Sequence, residues 1–239
     1  MTKVRRYDNR SSLANIVRRG LLRALLPVEC LVCSDEGEWL CPDCRESLPA
    51  TRPITCVICA KAAEDGLCNH CRGVTKLDGA VSLFAYHHQG VQRLIKGVKF
   101  GGYTDAISFY LENFGEMIMA RLEVKGAVLV PLPLSRERLQ ERGFNQSEVF
   151  CEQLARRYGL SVWNGLKRSR HTKAQAELGR KERLKNVKGA FRVVGGETAP
   201  KKIILVDDVI TTGATLGEAA RTLRKVGTEE IVALTLAHG

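Results

Sequence analysis

The chain has 239 residues, 44% of them hydrophobic, and a formal net charge of +11. That length holds one substantial domain with a small one beside it, and the apolar content supports a globular core. No uninterrupted apolar stretch is long enough to cross a bilayer, which excludes a transmembrane segment of the helical kind.

Residues 1–27 form the first unit. Lys3, Arg5, Arg6 and Arg10 precede a segment broken by Arg18, Arg19 and Arg23, where a signal peptide needs an unbroken apolar centre. Leu13, Ile16, Val17, Gly20, Leu21 and Leu25 instead predict a basic amphipathic helix ending at Pro27. Such a helix docks on the protein's own core or lies on a membrane surface. These features together predict a cytoplasmic protein.

Residues 28–75 hold eight of the nine cysteines, in four Cys-x-x-Cys pairs: Cys30/Cys33, Cys41/Cys44, Cys56/Cys59 and Cys68/Cys71. Four pairs within 42 residues, without an export signal, read as zinc ligation ahead of redox chemistry or a disulfide framework. Two thiolates on one tight turn supply half a tetrahedron, and a second pair completes it. The intervals allow sites 30/33/41/44 and 56/59/68/71 and equally permit crossed pairing, so one or two structural zinc ions are expected. A closed shell of four thiolates leaves no open position for catalysis. The segment is also poor in large apolar residues, so metal would have to help it fold. His70 reads as a surface histidine, and Cys151, alone on a predicted helix, as buried and inert.

Residues 76–239 alternate between strand and helix patterns. Residues 80–86 predict a strand. Val91, Leu94, Ile95 and Val98 then mark one face of a helix, with Lys96 and Lys99 beside it, and Phe100, Gly101 and Gly102 break it. A second helix is predicted over 107–122. Residues 127–130 form a short buried strand that runs into Pro131, Leu132, Pro133, Leu134 and Ser135; the prolines turn the chain out at the strand's carboxyl end. That brings Leu134, Ser135, Arg136 and Arg138 to the edge where open α/β sheets hold ligands. Arg142, Gly143, Phe144, Asn145 and Gln146 follow, with Gly143 and Asn145 as turn and cap of the next helix.

A strongly basic stretch covers residues 165–192, with ten Lys/Arg against two Glu, whereas residues 193–239 hold five Lys/Arg and six acids. The charge is therefore regional, and it points to a polyanionic ligand met by a flexible segment, either a lid or a contact surface. A small phosphorylated molecule and nucleic acid both qualify.

The apolar run 203–206 reads as a strand buried on both faces. It ends in adjacent carboxylates, Asp207 and Asp208, followed by Thr211, Thr212, Gly213, Ala214 and Thr215. Leu216, Ala220, Leu223 and Val226 then recur at helical spacing up to Gly227. A helix start there aims unpaired N–H groups at the loop and makes an anion site. The acids suit ribose hydroxyls or Mg²⁺ and its waters, because they would repel a bare phosphate. No Gly-Lys-Ser/Thr and no Gly-x-Gly-x-x-Gly is present, so this is neither a nucleoside-triphosphatase loop nor a dinucleotide fingerprint.

The segment 203–217 resembles the phosphoribosyl-pyrophosphate (PRPP) loop of type I phosphoribosyltransferases. That resemblance implies ribose contacts from Asp207 and Asp208 and a 5′-phosphate wrapped by Thr211, Thr212, Gly213, Ala214 and Thr215. Further pieces widen it: Val-Pro-Leu-Pro-Leu-Ser at 130–135, Arg-Gly-Phe-Asn-Gln at 142–146, Arg170-x-Thr172-x-x-Gln175, Glu182-Arg183 and Asn186-Val187. With the cysteine block, they make residues 12–239 similar to the ComF/GntX family. The resemblance implies an α/β fold: an open parallel sheet flanked by helices, as in type I phosphoribosyltransferases, behind a small zinc module.

It also implies a role in natural transformation, handling imported single-stranded DNA beside a helicase-like partner. On this reading Leu134, Ser135 and Arg136 are candidates for pyrophosphate, and Arg142, Arg170 and Lys173 for a lid over the leaving group. The leading expectation is a Mg²⁺-dependent phosphoribosyltransferase, with Asp207 and Asp208 as its central residues. The competing ones are a non-catalytic single-stranded DNA adaptor and a PRPP sensor. Scarce aromatics beside the basic residues weigh against the adaptor.

Overall fold

The computed structural model describes residues 28–48, 55–100, 104–169, 186–194 and 198–239. The helix expected within residues 1–27, the break at Gly101 and Gly102, and Arg170 and Lys173 lie outside them.

The cysteine block contributes α1 (Pro42–Ser47) and α2 (Asn69–Thr75). Then follow β1 (Gly79–Ala85), α3 (Gln89–Phe100), α4 (Thr104–Met119), β2 (Val128–Pro131), α5 (Arg136–Arg142) and α6 (Gln146–Tyr158). The remainder is β3 (Ser161–Val162), β4 (Leu166–Arg168), β5 (Phe191–Val193), β6 (Lys202–Ile210), α7 (Ala214–Lys225) and β7 (Glu230–His238). Five strands form one parallel sheet in the order β1-β7-β6-β2-β3, while β4 and β5 pair as a separate antiparallel ladder.

Helix α5 is not among the elements predicted from the sequence. Its ends explain it. The Ser135 hydroxyl accepts the Arg138 N–H at 3.4 Å, and Gly143 closes the helix at φ 75°. The described parts of the basic stretch include a strand pair: Leu166 pairs with Val193 and Arg168 with Phe191. Val226, expected on the apolar face of α7, instead follows its last turn and stays 37% exposed.

Alternation along β6 sorts the core. Ile204 and Val206 join Leu83, Val91, Ile95 and Leu154 in the apolar cluster under α3, α4 and α6. Ile203 and Leu205 join Leu216, Ala220 and Leu223 in the cluster under α7. The cysteine block is divided the same way: Cys30, Leu40 and Leu48 belong to the first cluster, and Cys56, Val57, Leu67 and Cys71 to the second.

Strand order decides where a ligand can enter. Strands β2 and β6 are neighbours, with Pro131 opposite Val206. The chain leaves β2 toward β3 and leaves β6 toward β7, in opposite directions across the sheet. This is the switch point at which open α/β sheets form their crevice. The carboxyl end of β2 delivers 132–136 to it and that of β6 delivers 207–215.

Candidate functional site

Asp207 and Asp208 sit near the end of β6, and neighbouring residues of a strand leave it on opposite sides. Lys99, from the last turn of α3, meets Asp208 at 2.9 Å, with only 20% and 11% of the two side chains exposed. Gln146, the first residue of α6, donates its side-chain amide to Asp208 at 2.7 Å. Arg142, ending α5, in turn donates to the Gln146 carbonyl oxygen at 3.1 Å. Asp208 thus joins β6 to α3 on one side and, through Gln146 and Arg142, to α6 and α5 on the other.

Asp207 accepts the Asp208 backbone N–H at 2.9 Å. Burial, then the negative charge of Asp208, pushes its carboxyl up to about 7, against the opposing pull of that N–H, Lys99 and Arg168. Burial works against the charges of Arg142 and Arg168, and the carboxylates nearby support them. The surplus of cations around two acids, one of them easily protonated, suits an anionic ligand. The space itself is small: a cavity of about 10 Å³ lies between Val98, Gln146, Ser147, Phe150 and the two acids. It is scarcely the size of one water. The buried Ser147 hydroxyl lines it without a hydrogen-bond partner, a group whose desolvation a ligand hydroxyl would relieve.

Beyond the acids, β6 runs to Ile210 and the loop turns at Gly213, at φ 69°. Gly213 is the N-cap of α7 and offers no side chain; the Thr212 hydroxyl accepts the Ala214 N–H at 3.4 Å. The N-terminus of α7 and its helix dipole favour an anion. Thr211, Thr212 and Thr215 are half-buried, while Gly213 and Ala214 are buried. On the β2 side Ser135 is buried at the start of α5, Leu134 is half-buried and Arg136 exposed. Asn145 ties the exit of β2 to the start of α6: its amide donates to Leu132 O at 3.1 Å and its carbonyl accepts the Ser147 N–H at 3.1 Å.

Most candidates from the sequence therefore border one crevice. Arg142 belongs to its fixed wall, held through Gln146. The sequence reading left Lys99 and Ser147 without a role. Lys99 was visible only as a lysine beside an apolar helix face, and Gln146 only as the last letter of a motif.

The eight paired cysteines form two groups, Cys30/Cys33/Cys41/Cys44 and Cys56/Cys59/Cys68/Cys71, each with its four Sγ atoms within 4.8 Å of one another. The sequential pairing holds and the crossed one does not. Sγ–Sγ separations are 3.6 Å for Cys33–Cys41 and 3.5 Å for Cys59–Cys68. Those lengths are near the edge of a tetrahedron with metal–sulfur bonds of about 2.3 Å. Burial raises the Cys30 and Cys56 thiols, but backbone N–H groups outweigh it and bring both down to about 7. Burial and neighbouring sulfurs push Cys44 and Cys71 well up. Four thiols this close cannot all ionise without a cation among them, so each group is compatible with a structural zinc ion. His70 is exposed and outside both groups; Cys151 is fully buried in α6, and burial raises its thiol. Among the described residues, no helix is long and apolar enough to cross a membrane.

Comparison with known proteins agrees with this architecture. A family model for the phosphoribosyl transferase domain matches residues 145–239, which run from the Asn145 cap through β7. Competence protein F of Haemophilus influenzae is 31% identical over 229 residues, covering 83% of this chain and 96% of that protein. Competence protein ComFC of Bacillus subtilis is 31% identical over 200 residues, 80% of each chain. The DNA utilization protein YhgH of Escherichia coli K12 is 33% identical over 211 residues, covering 83% and 85%. With its two Cys₄ groups set against a parallel phosphoribosyltransferase-type sheet, the chain belongs to the ComF family.

Proposed function

We propose that the crevice between β2 and β6 binds a 5-phosphoribosyl group, in the form of PRPP with Mg²⁺, and that the protein serves DNA uptake. The observation that carries the first part is the continuous run from acid pair to helix start. Asp207, Asp208 and the free Ser147 hydroxyl meet at a water-sized cavity that one ribose hydroxyl would fill, and six residues after Asp208 the loop meets the N-terminus of α7, suited to the 5′-phosphate. Mg²⁺ would come with the pyrophosphate, near Asp207 and Asp208, and neutralise its charge. Leu134, Ser135 and Arg136 border the same crevice from the β2 side and would meet the pyrophosphate; Arg142, with Arg170 and Lys173, would approach the leaving group. Transfer would proceed by loss of pyrophosphate from the anomeric carbon, with the protein supplying charge and position and no nucleophile. Zinc in both Cys₄ groups is a structural partner of this activity.

Titration calorimetry with Mg²⁺ and PRPP tests the site. Binding by wild type and its loss in the Asp207→Ala/Asp208→Ala double variant is the expected result; equal affinity removes the site. Pyrophosphate release in the presence of candidate bases and single-stranded DNA then separates an enzyme from a sensor.

The competence and DNA-utilization names of the relatives support the second part. They also keep a second reading in view, a single-stranded DNA adaptor on the same fold, for which the charge of residues 165–192 speaks. A phosphate-tracking surface loses affinity steeply with salt. Titrations of single-stranded DNA at several salt concentrations, with and without PRPP, decide it, and binding that ignores salt counts against the adaptor.

A further inference from the structure

The turns that open the two Cys₄ groups share a feature that metal ligation does not require. Their middle residues are apolar, Leu31-Val32 between Cys30 and Cys33, and Val57-Ile58 between Cys56 and Cys59. The second turns hold Pro42-Asp43 and Asn69-His70. Leu31, Val32 and Ile58 of these pairs press on glycines of the sheet domain. A Cβ placed at Gly97 would lie 2.7 Å from Leu31 Cδ2, and one at Gly90 would lie 3.2 Å from Val32 Cγ1. Both glycines belong to α3, the helix that brings Lys99 to Asp208. Arg93 of α3 also donates to Val32 O at 2.6 Å.

The second group does the same at the other wall. A Cβ at Gly213 would lie 2.6 Å from Ile58 Cδ1 and 2.9 Å from Thr75 Cγ2, and one at Gly217 would lie 3.0 Å from the Thr75 Cα. Arg221 of α7 donates to Val74 O at 2.8 Å. The glycine at the turn of the phosphate loop therefore rests on a residue lying between two cysteine ligands.

We propose that the two Cys₄ groups are separate positioning devices for two halves of one ligand site. The first, through Leu31 and Val32, sets the helix that presents Lys99 to the acid pair. The second, through Ile58 and Thr75, sets the phosphate loop. The proposal rests on the phosphoribosyl reading of the crevice and adds which residue holds which half. Ile58 and Leu31 are positioning residues: they act through the loop and the helix they touch.

Side-chain variants that keep every thiol test it. Ile58→Ser, at unchanged zinc content, should lose amide hydrogen-exchange protection at 211–217 and weaken PRPP and ribose 5-phosphate roughly tenfold. Ile58→Val should restore both. Ile58→Ala gives the same readout if the serine variant loses zinc. Leu31→Ser should leave protection at 211–217 intact and instead move the pH midpoint of ligand binding upward, because Lys99 helps Asp207 ionise. Unchanged protection at 211–217 in both Ile58→Ser and Ile58→Ala, or the same response from the Leu31→Ser and Ile58→Ser variants, overturns the proposal. Absence of any PRPP binding by wild type counts against the phosphoribosyl reading alone, since the exchange comparison still decides the positioning roles.

Discussion

Asp207 is the most deeply buried acid of the crevice, and its protonation links the site to stability. An unfolded chain releases an aspartate proton near pH 4, as free carboxylates do. Folded Asp207 holds its proton to about 7. Between those values the folded chain binds more protons, so this group's stabilising contribution is full below about pH 4 and lost as pH rises through about 7. Asp207→Asn should therefore melt above wild type at pH 8, with the gap closing toward pH 4, while ligand binding is lost. One pKa unit corresponds to about 1.4 kcal/mol, and for a chain this long each kcal/mol moves the midpoint by about 2–4 °C. Equal melting points at pH 8 would show that the acid is not strained by burial.

Lys99→Met has the opposite sign. It leaves Asp208 half-buried beside a second carboxylate and should cost about 1–3 kcal/mol at pH 8 in urea melts. The loss should shrink at pH 5, where the pair retains a proton. None of this was legible from residues 89–100, because a lysine flanking an apolar face looks the same whether it meets water or an aspartate.

At the level of elements, glycines and caps decide where the chain can stop. Gly213, Gly143 and Gly159 all adopt positive φ, but only Gly213 has side chains in the place of a Cβ. Alanine at Gly143 or Gly159 should cost about 1 kcal/mol for the left-handed backbone alone. Gly213→Ala should cost about 2–4 kcal/mol, because Ile58 and Thr75 must also move, and it should abolish phosphate binding. Thermal melts of the three variants check the ranking. The Asn145 cap was readable because capping needs only a side chain two residues before an amide. Its second bond, to Leu132 O, joins the exit of β2 to the start of α6 and was not readable. Helix α5 escaped notice for a related reason: with no buried residue it has no apolar stripe, and Ser135 and Gly143 alone delimit it.

For the whole molecule, the cysteine block is less a separate module than two clamps on opposite faces of one sheet. Each Cys₄ group contributes residues to a different apolar cluster, so neither can be lost without exposing core. Metal analysis should find two zinc ions per chain, and Cys33→Ser and Cys59→Ser should each remove one. Because zinc binding and folding are linked in such groups, chelation should lower the melting temperature of the entire sheet domain; a sheet domain that melts unchanged after both zincs are removed would show the block to be independent. By itself the sequence determined the parts whose chemistry is local. These are the four Cys-x-x-Cys turns, the buried strand ending in Asp207 and Asp208, the threonine-rich loop and the amphipathic helix beyond it. Tertiary structure alone decided how those parts meet. It set β2 beside β6 so that two loops share a crevice, it brought Lys99 to Asp208, and it rested Gly213 on Ile58. The physical reason is that these contacts span long stretches of chain, 61 residues for Arg93 to Val32 and 147 for Arg221 to Val74. At the glycines the deciding feature is an absent side chain, which leaves no pattern to read.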